Sequence, residues 1–377
     1  MISRTLLTIS LTLFAGLLSA QTTYNYNTNA PANWSAIVTG SATAGDTVNL
    51  SADLTAGRII TMSPAGTVGT LLMEDTVTAT GSVFGWTIAG TAAQTLTFDN
   101  TGATAATITV RNNTNAATRL VGGNMTISAP IVLNDDLVVN VADLGSLLTV
   151  SGTINGGGKT LSILGLGGAT IGTAAITNLA GVTIGSVHRA TTISGANTRT
   201  GSGEGYALQV GNLAPVTHSG AVTLTDGNIN ITAENYGRLT MGGALTTSGN
   251  LIITGTGGLS RDFDANRSNS VFEKSLVRLT AANVLTGTTS ISGASVLLDF
   301  AAANTANGRL SSTGTLTLAN AGLMMSGFAS ATSSQAVSGT TIAARSGNFV
   351  FVTRGATGSA TLDLGTITPG AESWVNF

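Results

Sequence analysis

The feature that most constrains this chain is an alternation of period two, held in very short runs. In Ile127–Gly168 the apolar runs Ile131–Leu133, Leu137–Val141, Leu147–Val150 and Leu161–Leu164 are separated by Asn, Asp, Ser and Gly. Each run has strand length and each break has turn chemistry. The plan recurs on both sides. Before this stretch it reads Val48–Ser51, Gly57–Met62, Thr70–Met73, Gly85–Gly90, Thr95–Asn100, Ala106–Val110 and Met125–Ser128. After it come Val182–Gly185, Ala190–Ser194, Tyr206–Val210, Ala221–Thr225, Ile229–Thr232, Arg238–Met241 and Leu251–Thr254. The last set is Val277–Thr280, Thr288–Ser292, Val296–Phe300, Thr315–Leu318, Thr340–Ala344, Asn348–Thr353 and Thr361–Gly365.

Most runs alternate Thr or Ser with Val, Ile or Leu, which sends aliphatics to one face and hydroxyls to the other. β-Branched residues suit that pleated surface. No long stripe of helical period is present, and glycine interrupts every candidate, so the chain is expected to be all-β. Only 8% of residues are charged, but 42% are apolar and regularly placed, which argues against disorder. A sandwich or barrel usually closes within about 100–250 residues. A parallel β-solenoid grows coil upon coil, with small aliphatics inside, Gly, Asn and Asp at corners, and Thr and Ser outside. The composition fits the solenoid. With coils of about 20 residues, the chain predicts roughly 15–18 coils, a rod of roughly 70–90 Å.

Met1–Ala20 has the organisation of a secretory signal peptide: Arg4, an apolar stretch from Leu6 to Leu18, and small residues before Gln21. The apolar stretch is short for a membrane span of about 20 residues, and no later run approaches that length, so no transmembrane helix is expected. Residues 21–45, with Tyr24, Tyr26 and Trp34, are expected to form an edge or cap, and residues 46–377 the solenoid. The chain has no cysteine, and its net charge of −2 gives no electrostatic reason to expect nucleic acid.

Candidate chemistry is sparse. His188, in GSVHRA, and His218, in PVTHSG, read as solvated turn histidines. There is no H-E-x-x-H, no G-x-S-x-G and no nameable triad. The acids Asp135, Asp136, Glu204, Glu234 and Asp299 and the bases Lys159, Arg189, Arg199 and Arg238 are scattered. A β-helical polysaccharide lyase would need acids and a base gathered on one outer groove; these acids read as turn and strand-end carboxylates. Gly156–Lys159 resembles the tail of a phosphate loop but lacks its first glycine and its helix, so it reads as a corner turn. Asp262, Asp264, Asn266 and Glu273 have calcium-loop spacing. Arg267 occupies the position of the turn glycine and adds a repelling charge, so Arg261–Lys274 reads as a solvated loop between coils. No catalytic, cofactor-binding or metal residue is assigned, and the chain is expected to be non-catalytic and cofactor-free.

Leu279–Phe300, LTAANVLTGTTSISGASVLLDF, resembles the repeat of the autotransporter-associated β-strand repeat proteins of Gram-negative bacteria. Ile193–Glu204 is a partial echo, and Thr95–Val110 and Ile127–Gly168 are similar to the segment preceding those repeats. Leu285 stands where the family usually has Tyr, and Thr288 where a second Gly is common. The resemblance implies a right-handed parallel β-helix, secreted or displayed at the cell surface as a structural or adhesive passenger. Its expected partners are extracellular or cell-surface polysaccharide or other cells. Family members often end in an outer-membrane barrel or sorting tail. The terminal Phe377 is similar to the last residue of a barrel strand, but a barrel needs at least 8 strands of about 10 residues, so the chain reads as an anchorless or truncated member.

Overall fold

The computed structural model describes residues 21–377 except 41, 77–83, 113–122, 186–187, 212–214, 257–274 and 301–307. The signal-peptide reading of Met1–Ala20 and the calcium-spaced residues Asp262, Asp264, Asn266 and Glu273 lie outside the described residues.

The chain is a parallel β-solenoid. Two 14-stranded sheets and one 9-stranded sheet run along its axis, and the strands within each are consecutive windings of the chain. In the first sheet Leu137–Val141 pairs with Thr160–Gly165, which pairs with Gly181–Ile184, all parallel. A typical winding visits each sheet once, as Leu137–Val141, Leu147–Val150 and Ile154–Asn155 do. A fourth, two-stranded sheet pairs Thr332–Ala336 with Ser359–Asp363.

The winding is longer than the sequence pattern predicts, and the windings are fewer. Register advances by 21 residues from Leu161 to Val182, but by 38 from Ile253 to Ile291. Each winding carries three strands and their corners. Fourteen strands at about 4.8 Å make a rod of roughly 60 Å.

Register explains the core. Leu137, Leu161, Val182, Leu208, Ile231, Ile253, Ile291, Leu318 and Ile342 succeed one another in the first sheet, all buried. A one-residue slip would turn each inward aliphatic out and each hydroxyl in, so the alternation enforces the stacking. At the N-terminal end, Thr23–Tyr26 pairs with Thr47–Ala52. The short helix Trp34–Ile37 buries Trp34 and Ile37 in the core. Over the last winding burial thins: Thr366–Pro369 is exposed at every position.

Corners are set by close backbone approach. A Cβ on Gly249 would lie 2.4 Å from the Gly227 carbonyl oxygen, and one on Gly287 would lie 2.2 Å from that of Gly249. Windings can stack here only without side chains.

Candidate functional surface

The outward face of the second sheet carries the most regular chemistry in the molecule. Thr87, Thr126, Thr149, Thr170, Thr192, Thr217 and Thr240 are register partners on seven successive windings. Each sits between two inward residues, as Thr126 sits between Met125 and Ile127, and each is partly exposed. No hydrogen bond among the described residues engages any of the seven hydroxyls. Elsewhere some outer hydroxyls are occupied, while others, such as Ser162 and Thr183 in the first sheet and Thr97 and Thr223 in the third, also have no bond among the described residues. In the first sheet Thr107 bonds Thr70 at 3.2 Å, Thr232 pairs with Thr254 at 3.0 Å, and Ser51 donates to Glu74 at 2.8 Å. The second sheet therefore presents a line of free hydroxyl and methyl groups repeating at about 4.8 Å. Beyond Thr240 the same row continues as Arg278, Leu297, Met324 and Phe351, and becomes apolar.

The sequence-derived acids and bases are dispersed and each described contact is structural. Asp135 accepts from the Asn100 amide at 2.7 Å, and Asp136 accepts from the Thr160 amide at 2.8 Å, so the adjacent carboxylates tie their corner to the winding on either side. Asp226 does the same for Ser202 and the Gly203 amide, and these bonds hold its carboxyl below the usual range. Glu204 accepts from Gly201 and lies 3.5 Å from Arg199. Glu234 accepts from the Gln209 side chain on the preceding winding. Arg189 donates to the Gly145 carbonyl at 2.7 Å. Lys159 closes the corner turn at Gly156–Lys159 with a 2.7 Å backbone bond to Gly156. Arg238 stands in the outer row between Pro215 and Leu276.

Asp299 does end a strand, Ser295–Asp299, but it is not a solvated carboxylate. It is buried and accepts from Arg278 Nε at 2.6 Å, while its backbone carbonyl accepts from Arg309. Arg309 is fully buried, 4.3 Å from the centre of the Phe300 ring. Burial pulls its guanidinium below the ordinary value, and Asp299 opposes that shift.

The histidine expectation holds in part. His188 is exposed, but His218 is not a solvated turn residue. It ends the strand Pro215–His218 on an inward position, stacked between Ile193 and Met241. Alternation from Val216 places it there whatever the polarity of its neighbours. Its Nδ1 lies 3.0 Å from the Gly220 carbonyl and must donate to it, so Nε2 accepts from the Tyr206 hydroxyl at 3.1 Å. Burial lowers the His218 pKa to about 4 and pushes the Tyr206 phenol up.

Two groupings are absent from the sequence reading. One is the bidentate pair of Arg111 with buried Glu74, at 2.9 and 3.2 Å. The other is the set of exposed aromatics Phe351, Trp374 and Phe377, gathered at the C-terminal end of the second sheet. The seven-threonine row was accessible in principle, since x-Thr-x flanked by inward residues recurs at intervals of 21 to 25 residues from Thr126 to Thr240. Among the described residues no group of three or more His, Cys, Asp or Glu is placed to hold a metal ion, and no helix is long and apolar enough to cross a membrane. No family model, curated protein or solved structure matches this chain.

Proposed function

We propose that this chain is an exported, non-catalytic passenger of the autotransporter-associated repeat type, acting as a spacer and adhesive surface outside the cell. The observation that carries the reading is the row Thr87 to Thr240, seven unengaged hydroxyls in register on one face. One solvated hydroxyl binds almost nothing. A rigid row of them offers a repetitive polymer many weak contacts without further loss of protein entropy, and avidity grows with the number engaged. The parallel stack supplies rigidity, and the Leu279–Phe300 segment that resembles the family repeat spans Val284–Leu285, Thr289–Ser292 and Ser295–Asp299, with strand positions in all three long sheets. Export is consistent with the sequence of Met1–Ala20 and the absence of cysteine.

The alternative, a β-helical carbohydrate-active enzyme, needs acids and bases converging on one groove. The candidate residues instead serve separate corners and windings.

The test is retention of the intact protein on insoluble extracellular polysaccharide and on bacterial cells. Replacement of one, two or three of Thr149, Thr170 and Thr192 by Val keeps shape and strand propensity while removing hydroxyls. Retention should fall stepwise with each replacement. Undiminished retention of the triple variant, or no retention of the unaltered protein, would refute the adhesive role.

A further inference from the structure

We propose that the aromatic cleft at the C-terminal end of the second sheet binds the pyranose rings of a neutral polysaccharide. The inference deepens the adhesive reading above and rests on it for the presence of glycan partners. The cleft has a volume of about 680 Å³, within the range of small-ligand sites. It is lined by Phe349, Phe351, Trp374 and Phe377 with the carboxamides of Asn320 and Asn376.

Its floor is built by glycine. Gly322 is the register partner of Phe349, and a Cβ there would lie 2.2 Å from the Phe349 ring. Gly347 partners Trp374, and a Cβ there would lie 2.4 Å from the indole. Each ring therefore lies down on bare backbone. Trp374 is 55% exposed, Phe351 51% and Phe377 74%. Of the four large aromatics exposed among the described residues, three are in this cleft; the other is Tyr236.

The lining selects the ligand class. It has no ionisable side chain. The ion pair Arg345–Glu372 satisfies its own charges at 3.3 Å. An anionic sugar or phosphate would thus find no cation among the lining residues. Asn320 uses its oxygen to accept from the Gly347 amide, which leaves its NH₂ group as a donor. Asn376 has no engaged side-chain partner among the described residues. A neutral pyranose has a C–H face that covers an aromatic ring and equatorial hydroxyls that suit planar amides. The aromatic faces supply contact area at low entropic cost, and the amides supply direction.

The experiment uses the intact protein and neutral hexasaccharides of glucose and xylose, with hexagalacturonate as the acidic comparator. Trp34 and Trp86 are buried, so acrylamide quenching of tryptophan emission reports Trp374. A neutral hexasaccharide should shield Trp374 saturably. Phe351→Ala, at an exposed position, should weaken that binding at least about tenfold with unchanged circular dichroism, and Val284→Ala, at an exposed position outside the cleft and the threonine row, should leave it intact. Shielding by none of the neutral sugars, tighter binding of hexagalacturonate, or shielding that grows with protein concentration alone would overturn the proposal. If the cleft fails while retention on polysaccharide still follows the threonine row, the adhesive function survives without it; if both fail, the glycan-binding reading falls as a whole.

Discussion

The Tyr206 hydroxyl and His218 Nε2 face each other at 3.1 Å inside a core built mostly of aliphatic side chains. The rings meet edge to face, with centroids 6.0 Å apart. The Gly220 carbonyl accepts from Nδ1–H, the single N–H of the ring, so the neutral imidazole is satisfied at both nitrogens. The pair satisfies two polar groups that the inward register forces together.

This pair makes stability depend on pH. The folded pKa of His218 is about 4, against an ordinary 6.5. The unfolded chain therefore binds a proton over that window that the folded chain does not. The contribution is fully present above pH 6.5 and is lost as pH falls towards 4, reaching roughly 3 kcal/mol. Urea midpoints measured from pH 7.5 to 4 should fall more steeply for the unaltered protein than for His218→Met. An identical slope in both would show that another group titrates.

Removal of one partner should cost more than removal of both. Tyr206→Phe strands His218 Nε2, and His218→Met strands the phenol, each at roughly 1–3 kcal/mol. The double variant should regain part of that loss, because no polar atom of the pair remains. Simple additivity in chemical denaturation would show that the two residues are uncoupled.

Corner glycines should divide by what a methyl group would meet. Gly249→Ala drives Cβ towards the Gly227 carbonyl at 2.4 Å, where the obstacle is backbone. A loss of roughly 1–3 kcal/mol follows from overpacking. At Gly57 the nearest atom is 3.7 Å away, so Gly57→Ala should change stability little. Melting temperatures of the two variants make the comparison, and equal losses would contradict it.

Arg309 should not tolerate lysine. Its guanidinium donates through Nε and Nη2 to one carbonyl, that of Asp299, while facing the Phe300 ring. An ammonium reproduces neither the planar fork nor the stacking. Arg309→Lys should destabilise by about 2 kcal/mol in urea titration, and a change within error would mean that charge alone is required.

Asn197 closes a corner through a two-way bond with buried Leu179: the side-chain NH₂ donates to its carbonyl at 2.9 Å, and the side-chain oxygen accepts from its amide at 3.2 Å. Asn197→Ala leaves both backbone groups bare and should cost roughly 1–3 kcal/mol. Amide exchange at Leu179 should accelerate in step; unchanged protection would indicate that another group replaces the asparagine.

The sequence alone determined which faces turn inward. Runs such as Leu137–Val141 and Leu147–Val150 coincide with strands because period-two alternation is a local property of the backbone. It also marked the corners, since Gly, Asn and Asp adopt turns on their own. The third sheet was legible only in part: Leu96–Phe98, Ile131–Leu133 and Val222–Leu224 fall within apolar runs, but strands such as Ile154–Asn155 and Ile176–Thr177 are two residues long and leave alternation no room to show. Only the tertiary structure decided what stands beside what. Register between windings aligned seven threonines, carried His218 into the core beside Tyr206, and laid Trp374 over Gly347. Such neighbours are 12 to 39 residues apart in the chain, and their meeting depends on how much loop each winding holds. No local pattern encodes that length, so the surfaces on which function depends are products of the stacking itself.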